Sequence, residues 1–250
     1  MSDASSLEPA VQVTPPLDRN ALLAEAERRA RLEDFGDTWF VKPLDELLKS
    51  VNGESRLHAA GAIQEAETIV YYLTNRLTRV DLLKKHPEIL DEKVNVGAAI
   101  LSLGRTGSTK THRMLGAAPS NTTIKWWEAQ FPYPLEGEEP GKPVERRRLA
   151  KLVHDSWPDR PDIHPSGLDV PEEEALIIDQ SFVGTMIECL LWAPGYTEWL
   201  KGYDQSPAYE ELKVALQILQ WQDPSRRGKR WILKSPTHMS APKALLDAFP

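Results

Sequence analysis

The chain has 250 residues, 41% hydrophobic and 27% charged, the composition of an ordinary globular protein with a core of its own. Its 37 acidic against 30 basic residues give a formal net charge of -7, which argues against a nucleic-acid binder, and no apolar run is long enough to span a bilayer. The single cysteine, Cys189, cannot close a disulfide within the chain, and the N-terminus has no secretory signal pattern, so the expected location is cytoplasmic.

Residues 1–16 are polar, Pro-containing and unpatterned, and read as a disordered lead. Residues 17–94 read as an all-helical segment. Asp18 or Asn20 can cap a first helix over Ala21 to Arg31, and Pro43 suits the first turn of a second over Leu44 to Leu48. Ile63, Ala66, Val70, Leu73, Leu77 and Val80 form one stripe of a longer third helix. No titratable cluster on these helices suggests chemistry.

The hydrophobic period changes at Val96. Val96 to Leu103 is a short apolar run ended by glycine, the pattern of a buried strand in a parallel sheet. Gly104 to Thr109 then reads as a turn, and Lys110 to Ala117 as a helix. A basic helix over Glu145 to His154 and a Pro-rich loop over Ser156 to Val170 follow. Pro171 and the three glutamates after it predict a helix start, with acids facing the helix dipole, and a helix running to about Trp192. Cys189 lies inside that helix and reads as an inert core thiol. Ser206-Pro207 opens a helix that buries Leu212, Ala215, Leu216 and Leu219. Arg230 to Lys234 is a second strand, Thr122 to Trp126 a candidate third, and Ala241 to Phe249 a last helix. The expected fold class is α/β, with a P-loop-like parallel sheet flanked by helices over residues 95–250 and the helical segment before it.

The loop at 104–109 carries the strongest local signal. A helix N-terminus offers amides without intrahelical partners and the positive end of the dipole, so an anion is favoured there. Gly104 and Gly107 allow close backbone approach, Thr106, Ser108 and Thr109 add hydroxyls, and Arg105 adds a forked cation. The Walker pattern G-x-x-x-x-G-K-[ST] fails at one place, where Thr109 stands for the second glycine. Asp179 would be the magnesium-holding acid of that alternative, although its surroundings read as helix.

Arg105-Thr106-Gly107-Ser108-Thr109 resembles the 5′-phosphosulfate loop of sulfotransferases that use 3′-phosphoadenosine 5′-phosphosulfate (PAPS). Trp127-Glu128, His164-Pro165, Pro171-Glu172-Glu173, Pro194-Gly195-Tyr196 with Trp199-Leu200, Leu216-Gln217 with Leu219-Gln220-Trp221, and the run from Trp231 to His238 follow in the same order as in the broad bacterial type of that family, which is related to the tyrosylprotein sulfotransferases. The resemblance covers about Val96 to Pro250. It implies sulfuryl transfer from PAPS to a hydroxyl acceptor, giving adenosine 3′,5′-bisphosphate, with PAPS as co-substrate and no metal. Arg105 and residues Thr106, Gly107, Ser108 and Thr109 are then the donor-binding set. Glu128 is the first candidate for general base and His164 its rival, while Lys234, in a Lys-Ser-Pro unit, would stabilise the transferring group. The implied partner is a small-molecule, glycan or lipid alcohol, with a homo-oligomer left open. A cleft lined by Trp126, Trp127, Phe131 and Tyr133 is expected for the acceptor. The family's element for the 3′-phosphate follows the Lys-Ser-Pro segment, so the chain is expected to stop short of it, leaving the sheet incomplete. The alternatives are a nucleotide kinase or NTPase with a degenerate Walker loop, and a non-catalytic remnant of the sulfotransferase fold.

Overall fold

The computed structural model describes residues 16–103, 105–139, 141–156 and 167–250. The chain opens with three helices. In α1 (Arg19–Ala30) Asp18 is the cap, its carboxylate accepting the Ala21 N–H at 2.9 Å. Helix α2 (Val41–Glu54) starts two residues before Pro43, still within the first turn, where a missing N–H leaves no helical hydrogen bond unmade. Helix α3 (Ala59–Lys85) buries Ala62, Ala66, Ile69, Val70, Leu73 and Leu77 along one side, together with Arg76 and Arg79.

The α/β part then alternates: β1 (Val96–Ile100), α4 (Ser108–Gly116), β2 (Asn121–Thr122), α5 (Trp126–Gln130), α6 (Val144–Asp155), α7 (Ala175–Asp179), α8 (Met186–Leu190), α9 (Pro194–Leu200), α10 (Ser206–Gln222), β3 (Arg230–Lys234) and α11 (Pro242–Ala248). The sheet has the order β1-β3-β2, and both pairings are parallel. Strand β3 lies in the middle, with Ala99 opposite Leu233 and Ile100 opposite Lys234, so the carboxyl ends of β1 and β3 lie side by side. The expected fold class is the observed one. The third strand is shorter and earlier than expected: it ends at Thr122, and Trp126 already opens a helix whose capping box joins Lys125 to Glu128.

One apolar core links the two regions. It runs from Leu22, Leu47, Ile69 and Leu73 through Ile177, Leu212 and Leu216 to Trp231, Leu233 and Leu245. Burying each large side chain of this kind stabilises the fold by about 1.5–3 kcal/mol. Among the described residues no helix is long and apolar enough to cross a membrane.

The segment after Pro171 departs from expectation. Residues 172–174 are not helical, and helix occurs only at α7 and α8. The backbone here is claimed by a neighbour instead: Trp127 and Trp126 donate to the carbonyls of Leu168 and Val170, and Glu172 donates to Ile124 at 2.9 Å. Between α7 and α8, Phe182 takes a left-handed φ of 59° and is fully buried. A side chain on Gly184 would collide with the Asp179 carboxylate, only 1.4 Å from an ideal Cβ. A continuous helix cannot make that approach.

Two further expectations change. Cys189 is exposed, its thiol facing the Thr185 carbonyl at 3.8 Å, so it is not a core thiol. Trp126, Trp127 and Tyr133 are buried: the two tryptophans form a small cluster with Ala150, against which Phe131 packs, and Tyr133 belongs to the main core. These aromatic rings are packing, not the wall of an open cleft. The lead at 1–15, Gly104 and His164 lie outside the described residues.

Candidate active site

The loop from β1 to α4 lies at the carboxyl edge of the sheet, where open α/β proteins bind ligands. Its turn needs two left-handed residues, Arg105 at φ 66° and Gly107 at φ 85°. Glycine accepts that conformation without strain, and the space where its Cβ would point is open. Gly107 is the N-cap of α4, and among the described residues no side chain caps the helix. The first amides of α4 therefore keep their capacity to donate to an anion, beside the hydroxyls of Ser108 and Thr109. Thr106 turns its hydroxyl back onto the Leu103 carbonyl at 2.9 Å, which braces the loop.

Strand β3 delivers Lys234 to the same place. Its side chain is only 5% exposed, yet its ammonium donates to the Thr109 hydroxyl at 3.3 Å and pairs with the Glu173 carboxylate. Thr109 and Lys234, both expected site residues, are thus brought into contact, while Arg105 stands on the exposed rim of the loop.

The sequence offers Glu173 and Glu174 as first-turn acids, and Glu173 also as part of the Pro171-Glu172-Glu173 motif, without a site role for either. In the fold they face opposite tasks around Lys234. Glu174 is buried and accepts the Lys234 N–H at 3.1 Å with one oxygen, while the other takes His238 Nε2. A carboxylate can only accept, so the ring carries a proton on Nε2, and its Nδ1 lies 2.9 Å from the Tyr209 hydroxyl. Burial opposes the Glu174 charge, but the His238 ring and the Lys234 amide outweigh it and hold the carboxyl below its ordinary range. Burial raises Glu173 instead, with Lys234 only partly opposing. The signal that could have singled these residues out was the run Glu172-Glu173-Glu174 after Pro171: three acids with no basic residue near them in sequence need partners from elsewhere.

His112 on α4 is buried and donates through Nε2 to the Ile232 carbonyl at 3.0 Å, fastening the helix to β3. Burial lowers its pKa, so the ring is neutral at pH 7 and serves packing. Glu128 sits at the third position of α5, 4% exposed. One of its oxygens accepts the Lys125 N–H at 2.8 Å and the other pairs with buried Arg226. Those contacts tie α5 to the turn at Pro224–Arg226. Among the described residues no group of three or more His, Cys, Asp and Glu is placed to hold a metal ion.

An uncapped helix end, a hydroxyl-rich turn and a strand-end lysine thus meet at the carboxyl edge of a parallel sheet in an α/β protein. The chain belongs to the sulfotransferase family, whose family model matches residues 98–250. Two solved mycobacterial structures are similar to it. One is the sulfotransferase STF1 of Mycobacterium tuberculosis H37Rv, with 28% identity and a TM-score of 0.79 over 94% of this chain and 65% of that one. The other is the sulfotransferase STF9 of Mycobacterium avium, with 24% identity and a TM-score of 0.79 over 97% of this chain and 62% of that one, a likeness of fold. The chain therefore spans just under two thirds of the length of either structure. No protein with a curated description matches.

Proposed function

We propose that this chain takes part in sulfuryl transfer from PAPS to the hydroxyl of an acceptor alcohol, releasing adenosine 3′,5′-bisphosphate. The observation that carries this reading is the reach of the buried Lys234 ammonium to Thr109 in the first turn of α4. The amides of that turn, with Arg105, Ser108 and Thr109, would hold the 5′-phosphosulfate. Lys234 would stand at the oxygen that joins phosphorus to sulfur, where negative charge grows as the bond to sulfur breaks. All of these groups are donors, and two are cations, which suits a dianionic substrate.

The test is calorimetric titration with adenosine 3′,5′-bisphosphate, and with ADP in the presence and absence of magnesium. The expected result is magnesium-independent binding that prefers the bisphosphate. Arg105→Ala should weaken it at least tenfold, since a hydrogen bond to a charged group contributes about 1.5–3 kcal/mol. Magnesium-dependent binding of ADP alone would hand the site to a nucleotide kinase or NTPase.

A further inference from the structure

Resting on that reading, we propose that Glu173 is the general base that removes the acceptor's hydroxyl proton. The carboxylate is held from both sides along the chain. Glu172 is anchored through its N–H to Ile124, and Glu174 through its carboxylate to the Lys234 amide, so Glu173 between them has little freedom. Its Oε1 meets the same ammonium that reaches Thr109, which sets it one lysine head group away from the phosphosulfate loop. Its side chain is 17% exposed, and Oε2, the oxygen not engaged by Lys234, would receive the hydroxyl proton.

A purely structural role fits this position poorly. A carboxylate beside a loop that receives a dianion works against binding, and its pairing with Lys234 competes with the substrate for that cation. The same carboxylate is useful once an alcohol must lose a proton as it attacks. Burial raises the Glu173 carboxyl, making it a stronger proton acceptor than a solvated glutamate. Glu128 has both oxygens already committed, to the Lys125 amide and to Arg226.

In the step, the acceptor oxygen forms a bond to sulfur while the bond from sulfur to the 5′-phosphate oxygen breaks. That oxygen keeps the electron pair and leaves as the phosphate of adenosine 3′,5′-bisphosphate beside Lys234. The hydroxyl proton passes to Glu173 Oε2. Atoms and charge balance without a further reactant.

The experiment measures release of adenosine 3′,5′-bisphosphate from PAPS by the full chain, with 2-naphthol as probe acceptor and water as the default one. Glu173→Gln should lower kcat by roughly 10²–10⁴-fold while leaving KM for PAPS unchanged or lower. The wild-type fall in kcat toward acid pH should vanish in Glu173→Gln, and Glu173→Asp should restore part of the rate. Near-normal turnover by Glu173→Gln, or an unchanged acid limb, overturns the base alone. So does a Glu173→Gln chain that no longer binds the bisphosphate, because the residue is then part of the scaffold. A wild-type chain that neither binds the bisphosphate nor turns over PAPS overturns the reading of function on which the assignment rests.

Discussion

Asp179 closes α7 with its carboxylate 2% exposed, and its Oδ1 has no hydrogen-bond partner among the described residues. Burial pushes its pKa up to about 8, with the Met186 N–H opposing. The native chain therefore holds a proton here that the unfolded chain, with an ordinary value of about 4, has already released. Its contribution to stability is greatest below pH 4, declines as the pH rises from about 4 to about 8, and stays lost above that. Asp179→Asn, which keeps the shape and carries no charge, should flatten this decline. Thermal unfolding should show the variant matching the wild type below about pH 4, pulling ahead through about pH 5–7 and exceeding it most at about pH 8. At the same scale, Lys234 is held at two points: its backbone amide by Glu174 and its ammonium by Glu173 and Thr109.

Helix α5 is only five residues long, too short to persist without support. Glu128 supplies it twice, through the capping box and through the buried pair with Arg226. Removing Glu128 leaves buried Arg226 with only the half-exposed Asp223 as counter-charge, at a cost of about 3 kcal/mol, the lower end for breaking a buried pair. Glu128→Ala should therefore lower stability by that order in urea unfolding, and the chain that remains folded should still bind adenosine 3′,5′-bisphosphate. Loss of that binding by a folded Glu128→Ala chain would tie Glu128 to the donor site instead. The elements also show what was legible locally. Strand β3 was expected at Arg230 to Lys234 and is found there, because an apolar run between a glycine turn and a proline has one reading. The loop into α4 was legible for the same reason: glycines and hydroxyls between a strand and a helix. Pro171 with three acids carries an equally familiar signature, that of a helix start, but its backbone pairs with residues 124–127 and its carboxylates are taken by Lys234 and His238.

At the scale of the molecule, the helical segment and the α/β part share one buried core, and ion pairs join them. Arg76 and Arg79 of α3 both reach Glu211 of α10 at 2.6 Å, and Arg76 also stacks over the Phe40 ring at 4.2 Å. Glu211→Gln would leave two buried guanidinium groups short of their counter-charge. It should cost about 3–5 kcal/mol, and circular dichroism and tryptophan fluorescence should still report one coincident transition. Two separated transitions would show that the helical segment folds apart from the sheet.

What the sequence determined by itself were the features written in short-range patterns: helices from apolar stripes and caps, two strands from apolar runs, and a strand-to-helix turn from glycines beside hydroxyls. The ordered motifs from Val96 onward carried the family in the same way, because each is a local string. Only the tertiary structure decided which polar residues meet. Lys234 and Glu173 lie 61 positions apart, and Lys234 and Thr109 lie 125 apart. Nothing within either neighbourhood records that the parallel pairing of β1 with β3 brings them together. Burial was decided there as well, drawing Trp126 and Tyr133 inward and leaving Cys189 in solvent. Hydrophobicity states what a residue prefers, and the packing of the other elements decides which preferences are met.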